Sequence, residues 1–371
     1  MISTDRGLLK ENSHVRQRLT HYGKIFDELH IVIFSNKKVL DFKLADNIYC
    51  YSTNSINKLF YIPDAIKISR RIINKIGKKD VVISSQDPFE TGLVAVISKY
   101  LLKIKFQCQV HIDFFSPYYA KESIQSFIQV LIGPFILRRS DSVRVVSSKI
   151  EDYLVSKVKI PKDRIYVLPV FTDVQKIINS DIKINLKDKY KNFSNVLLMA
   201  SRLVKQKGIL VGIDAFKIVL ENNPNSCLVI VGSGPEEKKI KKYVQDLELD
   251  KNIFFEAWTE DLVSYMKSCD IFLLPSMYEG WGLTVVEAAA CSTPVVMTNV
   301  GCAEEFLFDG KNGIIVPVGD SKSFAGGVNK MLGDDNFRMS IKTNALRTAN
   351  NMPNIGAYLI YYKEAMNIGL N

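Results

Sequence analysis

Short, continuous apolar runs alternate with segments of helical length through the whole 371-residue chain. The runs are rich in Val, Ile, Leu and Phe, as expected of strands that helices cover on both faces. We predict strands at 29–34, 47–51, 80–84, 106–112, 142–146 and 165–170, and again at 196–200, 227–231, 253–256, 271–274, 294–297 and 313–316. The order βαβα therefore occurs twice and predicts an α/β protein with two doubly wound parallel sheets.

The chain length suits two domains better than a single core. A turn near Pro169 and Thr172 separates the two series of strands, and a polar, Lys-rich stretch follows it. We expect one Rossmann-like domain over 1–171, a second over 172–352, and a C-terminal helical segment over 353–371. Two such domains facing each other would form a cleft, and ligands of these sheets bind beyond the carboxyl ends of the strands.

Several classes of protein are not expected from this composition. The longest mostly apolar stretch has 11 residues, whereas a membrane span needs about 20, and no secretory signal is apparent. The six cysteines include no CxxC pair, which favours reduced thiols in a cytoplasmic protein. The four histidines do not pair with them either, so we expect no metal site.

Positive charge is concentrated in the first half of the chain. Residues 1–190 carry a net charge of +12 and residues 191–371 a net charge of −2. An anionic partner is one interpretation, with nucleic acid, a membrane surface and a phosphorylated substrate as candidates. A Lys-rich solvated surface is the other.

A helical stripe in this basic half has two interpretations. Its apolar members lie at helical spacing and directly precede Arg138 and Arg139; they are Ile124, Phe127, Ile128, Leu131 and Phe135. Either the stripe packs in the domain core, or it contacts an anionic membrane surface.

The segment 275–287, PSMYEGWGLTVVE, is the strongest chemical signal. Gly280 and Gly282 let the backbone approach a ligand closely, and the amides of Leu283 and Thr284 are the free N–H groups of a predicted helix start. Such a turn is a phosphate site.

Two carboxylates lie in the same segment. Glu279 precedes the glycine turn and Glu287 lies eight residues further on. Acids so placed can bracket a sugar nucleotide, one at the sugar and the other at a ribose diol. A capping acid with a solvated helix acid is the alternative.

Two further loops follow predicted strands. Arg202 and Lys207, in SRLVKQKG, are cations that could neutralise a diphosphate leaving group, or are simply solvated. Gly232 and Gly234, in VGSGPEE, predict a tight turn into a helix but lack the third glycine of a dinucleotide fingerprint.

These motifs, in this order, resemble the retaining GT-B glycosyltransferases of the family-4 type. The resemblance implies that the second domain binds a nucleotide-diphosphate sugar. It places Arg202 and Lys207 at the diphosphate, Glu279 near the donor sugar and Glu287 at the ribose. It also places Trp258, in the segment FEAW, beside the nucleotide base.

The resemblance extends to the first domain, which it identifies as the acceptor-binding half. It also implies that the C-terminal helix, in 353–371, returns to this N-terminal domain. His111, in the segment QVHID, is implied to contact the donor sugar near the reacting carbon. Family members usually begin with a full apolar strand, whereas here only Met1 and Ile2 precede Ser3.

We therefore predict a retaining transfer of a sugar from a nucleotide-diphosphate sugar to an acceptor hydroxyl, in glycan, glycolipid or cell-surface polysaccharide synthesis. The expected partners are a nucleotide sugar, a sugar or lipid-linked acceptor and, weakly, an anionic membrane; no cofactor, metal or nucleic acid is expected. The expected location is the cytoplasm, with possible peripheral contact at the inner face of the membrane. A sugar-nucleotide epimerase of the same fold and a basic nucleic-acid-binding protein stay open as alternatives.

Overall fold

A computed structural model describes residues 1–11 and 13–367 of the chain. The chain divides into two compact units. Unit 1 comprises Met1–Pro169 together with the chain from Ile355 onward, and unit 2 comprises Val170–Asn354.

The described part of unit 1 is built on an eight-stranded sheet of order β3-β4-β2-β1-β5-β6-β7-β8. Its strands are β1 (Ile2–Ser3), β2 (Leu29–Ile33), β3 (Phe42–Ala45), β4 (Ile48–Ser52), β5 (Val82–Ser85), β6 (Lys105–Val110), β7 (Ser142–Val145) and β8 (Ile165–Val167). All neighbours pair in parallel except β3 and β4, which are antiparallel at the sheet edge.

Helices connect the parallel strands of unit 1. They are α1 (His14–Gly23), α2 (Tyr61–Ile76), α3 (Glu90–Leu102), α4 (Ile124–Arg139) and α5 (Ser148–Tyr153), which continues as a π-helical turn over Leu154–Val158. Short 3-10 turns lie at Arg6–Leu9, Lys58–Phe60 and Lys162–Arg164.

The described part of unit 2 contains a six-stranded sheet of order β11-β10-β9-β12-β13-β14, parallel throughout. Its strands are β9 (Asn195–Ala200), β10 (Ser226–Val231), β11 (Ile253–Glu256), β12 (Ile271–Leu274), β13 (Val295–Thr298) and β14 (Ile314–Val316). Buried side chains of β9, β10, β12 and the helices form its hydrophobic core.

The helices of unit 2 are α6 (Val174–Ile178), α7 (Leu186–Lys189), α8 (Ile209–Asn222), α9 (Glu237–Asp246), α10 (Leu262–Ser268), α11 (Leu283–Ala290), α12 (Ser321–Gly333) and α13 (Asp335–Asn350). A 3-10 turn at Lys205–Lys207 precedes α8. The last helix of the chain, α14 (Ile355–Asn367), belongs to unit 1 and contacts α1.

The strand order of unit 2 reverses between β9 and β12, which lie side by side although they are separated in the chain. Ligands of doubly wound sheets bind at this reversal, beyond the carboxyl ends of the strands. The loop after β9 is 201–208 and the loop after β12 is 275–282. Both carry predicted site residues.

All twelve predicted strands are present, with ends within three residues of the predicted ones. Two strands were not predicted: β3, an antiparallel edge strand, and β1, which has only two residues. β1 nevertheless occupies the centre of the sheet, where Ile2 pairs with Val32 and with Ser85. A cavity of about 210 Å³ adjoins the beginnings of β1, β2 and β5.

The apolar stripe of α4 does not pack in the core, so that interpretation is wrong. The stripe residues Ile124, Phe127, Ile128, Leu131 and Phe135 are between 46% and 82% exposed. The buried face is formed by Ser126, Gly133, Ile136 and Leu137. Gly133 allows this approach, because a Cβ there would lie 2.5 Å from the Phe114 ring.

Among the described residues, the helices are too short or too polar to cross a membrane. None of the six cysteines, all of which lie within the described residues, forms a disulfide. No cluster of three or more His, Cys, Asp or Glu side chains suited to a metal ion occurs in residues 1–11 and 13–367.

Candidate active site

Lys207 and Glu279 form a largely buried ion pair in unit 2. The Lys207 Nζ lies 2.5 Å from Glu279 Oε1, and the Ser276 hydroxyl donates to the same oxygen at 2.7 Å. Glu279 is only 7% exposed. The structure therefore brings together two residues that the sequence placed 72 positions apart.

Gln206 joins the loops that carry this pair. Its side-chain amide donates to the backbone carbonyl of Tyr278 at 3.1 Å, and its backbone carbonyl accepts from the backbone amide of Met277 at 2.8 Å. Gly208 follows at a φ of +59°, where a Cβ would lie 2.0 Å from the Pro275 oxygen. Only glycine allows this contact, which fixes Lys207 against the loop after β12.

The loop after β12 leads into the start of α11. Gly280 is buried, and Gly282 lies just before the helix at a φ of +96° without a side-chain cap. The amides of Leu283 and Thr284 have no acceptor among the described residues. Their N–H groups and the helix dipole make this helix start suitable for an anion.

Glu287 lies on α11, one turn beyond these amides. Burial raises the pKa of its carboxyl from 4.5 to about 7. The side chain keeps partial contact with solvent, which limits this effect. A carboxylate so placed can accept hydrogen bonds from a pair of hydroxyls.

Gly232 and Gly234 pack against the backbone of the neighbouring loop. A Cβ on Gly232 would lie 2.0 Å from the Ser201 oxygen, and one on Gly234 would lie 2.3 Å from the Leu203 oxygen. The Leu203 amide also donates to the Ser233 carbonyl at 2.9 Å. Protein packing alone therefore accounts for both glycines.

The two tryptophans have different environments. Trp258 is 54% exposed, in the loop that follows β11. Trp281 is 5% exposed, packs edge-on against Phe306, and its Nε1 has no partner among the described residues. Only Trp258 is open to a ligand at its side-chain surface.

Glu256 precedes the Trp258 loop. Burial alone would raise the pKa of the Glu256 carboxyl. Hydrogen bonds from Lys189, Tyr190 and Tyr265 outweigh this and hold the pKa below its ordinary value. These bonds anchor the end of β11.

Arg202 is exposed, and no carboxylate lies within 4 Å of it among the described residues. It follows β9 directly, as predicted. Among the described residues, no hydrogen bond or ion pair joins Arg202 or Trp258 to the Lys207–Glu279 pair.

In unit 1, His111 follows the end of β6 and its side chain is exposed. Its Nε2 lies 3.1 Å from Gln109 Oε1. Surrounding protein atoms, Arg144 and Arg18 lower the pKa of the imidazole below 6.5. Desolvation by the surrounding atoms is the larger cause, and the two arginines act in the same direction by disfavouring a second proton on the ring.

Four residues of these sites were not predicted. They are Ser276 and Gln206, which position the pair, and Gln109 and Arg144, which lie beside His111. Polar residue types carry no signal of burial by themselves. Their positions next to predicted site residues were the only available hint.

Comparison with known proteins assigns a family to both halves of the chain. The family "Glycosyl transferases group 1" matches residues 182–348, and "Glycosyltransferase Family 4" matches residues 27–176. The UDP-Gal:alpha-D-GlcNAc-diphosphoundecaprenol alpha-1,3-galactosyltransferase of Escherichia coli is 27% identical over 270 residues, which are 70% of this chain and 68% of that protein. The capsular polysaccharide biosynthesis glycosyltransferase CapM of Staphylococcus aureus is 32% identical over 171 residues, 45% of each chain.

Solved structures agree on the fold. HepE of Anabaena, in complex with UDP and glucose, superimposes with a TM-score of 0.78 at 18% identity, over 98% of this chain and 97% of that one. The predicted fold class and family are thereby confirmed, and the epimerase alternative is not favoured. The chain belongs to the family-4 type of glycosyltransferases and has the GT-B fold.

Proposed function

We propose that this glycosyltransferase moves a sugar from a nucleotide-diphosphate donor to an acceptor hydroxyl with retention at the anomeric carbon. The observation that carries the proposal is the buried Lys207–Glu279 ion pair. Glu279 lies four residues before the start of α11, where the amides of Leu283 and Thr284 have no acceptor among the described residues. A fixed cation and free helix amides are what a departing diphosphate requires.

The remaining site residues of unit 2 take complementary roles. Arg202, exposed after β9, is a second cation for the diphosphate. Glu279 holds the donor sugar, Glu287 accepts hydrogen bonds from the ribose hydroxyls, and Trp258 lies beside the base. The backbone turns around this site are compact because they contain glycines, namely Gly232, Gly234, Gly280 and Gly282.

The proposed reaction breaks the bond between the anomeric carbon and the diphosphate oxygen. The acceptor oxygen bonds to the same face of the sugar, and its proton leaves with the diphosphate. No carboxylate is assigned as a covalent nucleophile, in contrast to retaining glycosidases. His111 contacts the donor sugar near the reacting carbon. Since Arg202, Lys207 and the helix amides stabilise the leaving group, we propose that transfer needs no divalent ion and persists in EDTA.

We further propose a lipid-linked or other cell-surface glycan acceptor, bound by unit 1 at the cytoplasmic face of a membrane. The name of the E. coli relative specifies an undecaprenol-linked acceptor and a UDP-linked donor. Unit 1 carries 28 Lys and Arg against 17 Asp and Glu, a net charge of +11. The exposed stripe of α4 ends in Arg138 and Arg139, and the Arg139 guanidinium lies 3.4 Å from the centre of the Phe135 ring. An apolar face bordered by cations is suited to an anionic leaflet.

The test is a thermal-shift screen of UDP-, GDP- and ADP-sugars, with UDP-glucose and UDP-galactose first. We expect one nucleotide class to raise the melting temperature of the wild type and to raise it much less in Glu287→Gln. Stabilisation by none of the nucleotides, with no binding detected by calorimetry, would overturn the donor assignment.

A further inference from the structure

Arg144 is a buried cation without an acid. The residue is 1% exposed within β7, and no carboxylate lies within 4 Å of it among the described residues. Its Nη2 donates to the carbonyls of Leu168 (2.9 Å) and Pro169 (3.1 Å) and to the Tyr358 hydroxyl (3.1 Å), and its Nη1 donates to Gln109 Oε1 (2.9 Å). Burying an unpaired charge is costly, so its position calls for an explanation.

Gln109 is the register partner of Arg144 on the adjacent strand β6. Its side-chain amide has a partner at each end. The Nε2 donates to Ser84 Oγ at 3.0 Å and to the Tyr362 hydroxyl at 3.1 Å, while Oε1 faces Arg144. A guanidinium can only donate, so the oxygen of the amide must face it. The orientation of Gln109 is therefore fixed.

The same oxygen lies 3.1 Å from His111 Nε2. This contact is a hydrogen bond only if Nε2 carries the proton, because two lone pairs would otherwise face each other. In the neutral ring Nδ1 is then an acceptor, and it has no partner among the described residues.

We propose that Arg144 is a positioning residue: through Gln109 it holds His111 as the Nε2-protonated tautomer, with Nδ1 as the acceptor for a hydroxyl of the donor sugar. The sugar contact rests on the function proposed above, whereas the tautomer does not. This role of Arg144 explains why a buried arginine without a carboxylate partner is present in the sheet. It orients the amide and also disfavours a second proton on His111, together with Arg18.

The C-terminal helix completes this network. Tyr358 and Tyr362 of α14 accept from Arg144 and Gln109, and the Tyr362 ring lies 5.2 Å from the Arg144 guanidinium. Tyr22 stacks on Tyr362 at 4.2 Å. The last helix thus supplies two of the groups that fix the His111 tautomer.

The experiment records long-range ¹H–¹⁵N imidazole spectra of the ligand-free, full-length protein from pH 5 to 8, with His111 assigned by its loss in His111→Asn. We expect a neutral, Nε2-protonated ring throughout. In Gln109→Leu the single tautomer should give way to a mixture. In Arg144→Met protonation of His111 should begin at a higher pH than in the wild type, because a cation that disfavours protonation is gone.

Tyr22→Phe is the matched control, since it alters the tyrosine cluster without removing an atom bonded to Arg144 or Gln109. It should leave the His111 spectrum unchanged. If Arg144→Met does not fold, the wild type and Gln109→Leu still decide. A wild-type ring protonated at Nδ1, or an unchanged tautomer in folded Gln109→Leu, would overturn the proposal.

Added UDP-glucose separates the two proposals. A shift of His111 Nδ1 supports its contact with the donor sugar. If the ligand-free ring is the expected tautomer but no nucleotide sugar binds, the positioning role of Arg144 stands and the proposed function is rejected.

Discussion

In the proposed donor site, a diphosphate would have to compete with Glu279 for Lys207. The pair is 2.5 Å apart and Glu279 has a second donor in Ser276, so the carboxylate keeps a partner when the lysine turns to phosphate. We infer that this exchange leaves no buried charge without a partner.

Replacing Lys207 with Met or Glu279 with Gln should reduce transfer roughly 10²–10³-fold, because each removes a preorganised stabilising group. Turnover with the donor found in the screen measures this, and thermal melting checks the fold. Lys205→Met, exposed on the same turn, is the matched control and should stay near wild type. Near-normal turnover in both site variants would reject the assignment.

Glu287 predicts a pH dependence of donor binding. Its pKa is raised to about 7, so between pH 4.5 and 7 the native protein holds a proton that the unfolded chain releases. The contribution of this group to the free energy of unfolding is therefore largest at low pH and declines as pH rises through this window. Donor binding should run in the opposite direction, since the proposed contact with the ribose hydroxyls needs the ionised carboxylate.

Affinity for UDP-glucose should therefore rise by roughly tenfold from pH 6 to pH 8. Calorimetry measures it, and this donor suits the test because its diphosphate carries no proton that titrates in the range. Glu287→Gln should bind weakly with a flat profile. An identical pH profile in the variant would exclude Glu287 as the titrating group.

Site positions were more predictable than site environments. Arg202, Lys207 and Glu279 could be placed because charged and glycine-rich segments directly follow apolar strands. The burial of Trp281 could not, since a loop sequence does not tell which way a ring turns. Arg144 lies within a Val-rich strand, and arginine is mostly exposed in proteins, so its burial gave no signal.

At the scale of elements, α4 shows what periodicity leaves undecided. The stripe was predictable from its spacing, but spacing does not say whether apolar residues face the core. Gly133 on the opposite face accounts for the outcome, because the absence of a side chain there lets that face pack against Phe114. The strands β1 and β3 were not predicted because two and four residues are too few to show a hydrophobic pattern.

The exposed stripe predicts salt-sensitive binding to membranes. At low salt the protein should float with vesicles containing phosphatidylglycerol and much less with phosphatidylcholine alone. At ~0.5 M salt flotation should weaken, because screening shortens to a few Å.

The double variant Phe127→Gln/Leu131→Gln should lose most of this binding. Met339→Gln, which alters an exposed apolar residue of α13 in unit 2, is the control and should float like the wild type. If the double variant floats as well as the wild type, or if the wild type does not float, the proposed membrane contact of the α4 stripe is wrong.

At the scale of the whole molecule, the two units share a central strand order, which is β4-β2-β1-β5-β6-β7 in unit 1 and β11-β10-β9-β12-β13-β14 in unit 2. In unit 2 the reversal between β9 and β12 carries the candidate donor site. The twofold series of strands made this architecture predictable from sequence alone. The place of α14 in unit 1 was expected only from the family resemblance, because its own sequence says nothing of its partner.

Hydrogen exchange in the presence of saturating UDP tests the donor site most directly. We expect slower exchange in peptides that cover 201–208, 254–259 and 279–287, and unchanged exchange in 124–139. The three unit 2 peptides should show little protection in Glu287→Gln at equal UDP. Bound UDP that protects none of these unit 2 segments would contradict the proposed donor site.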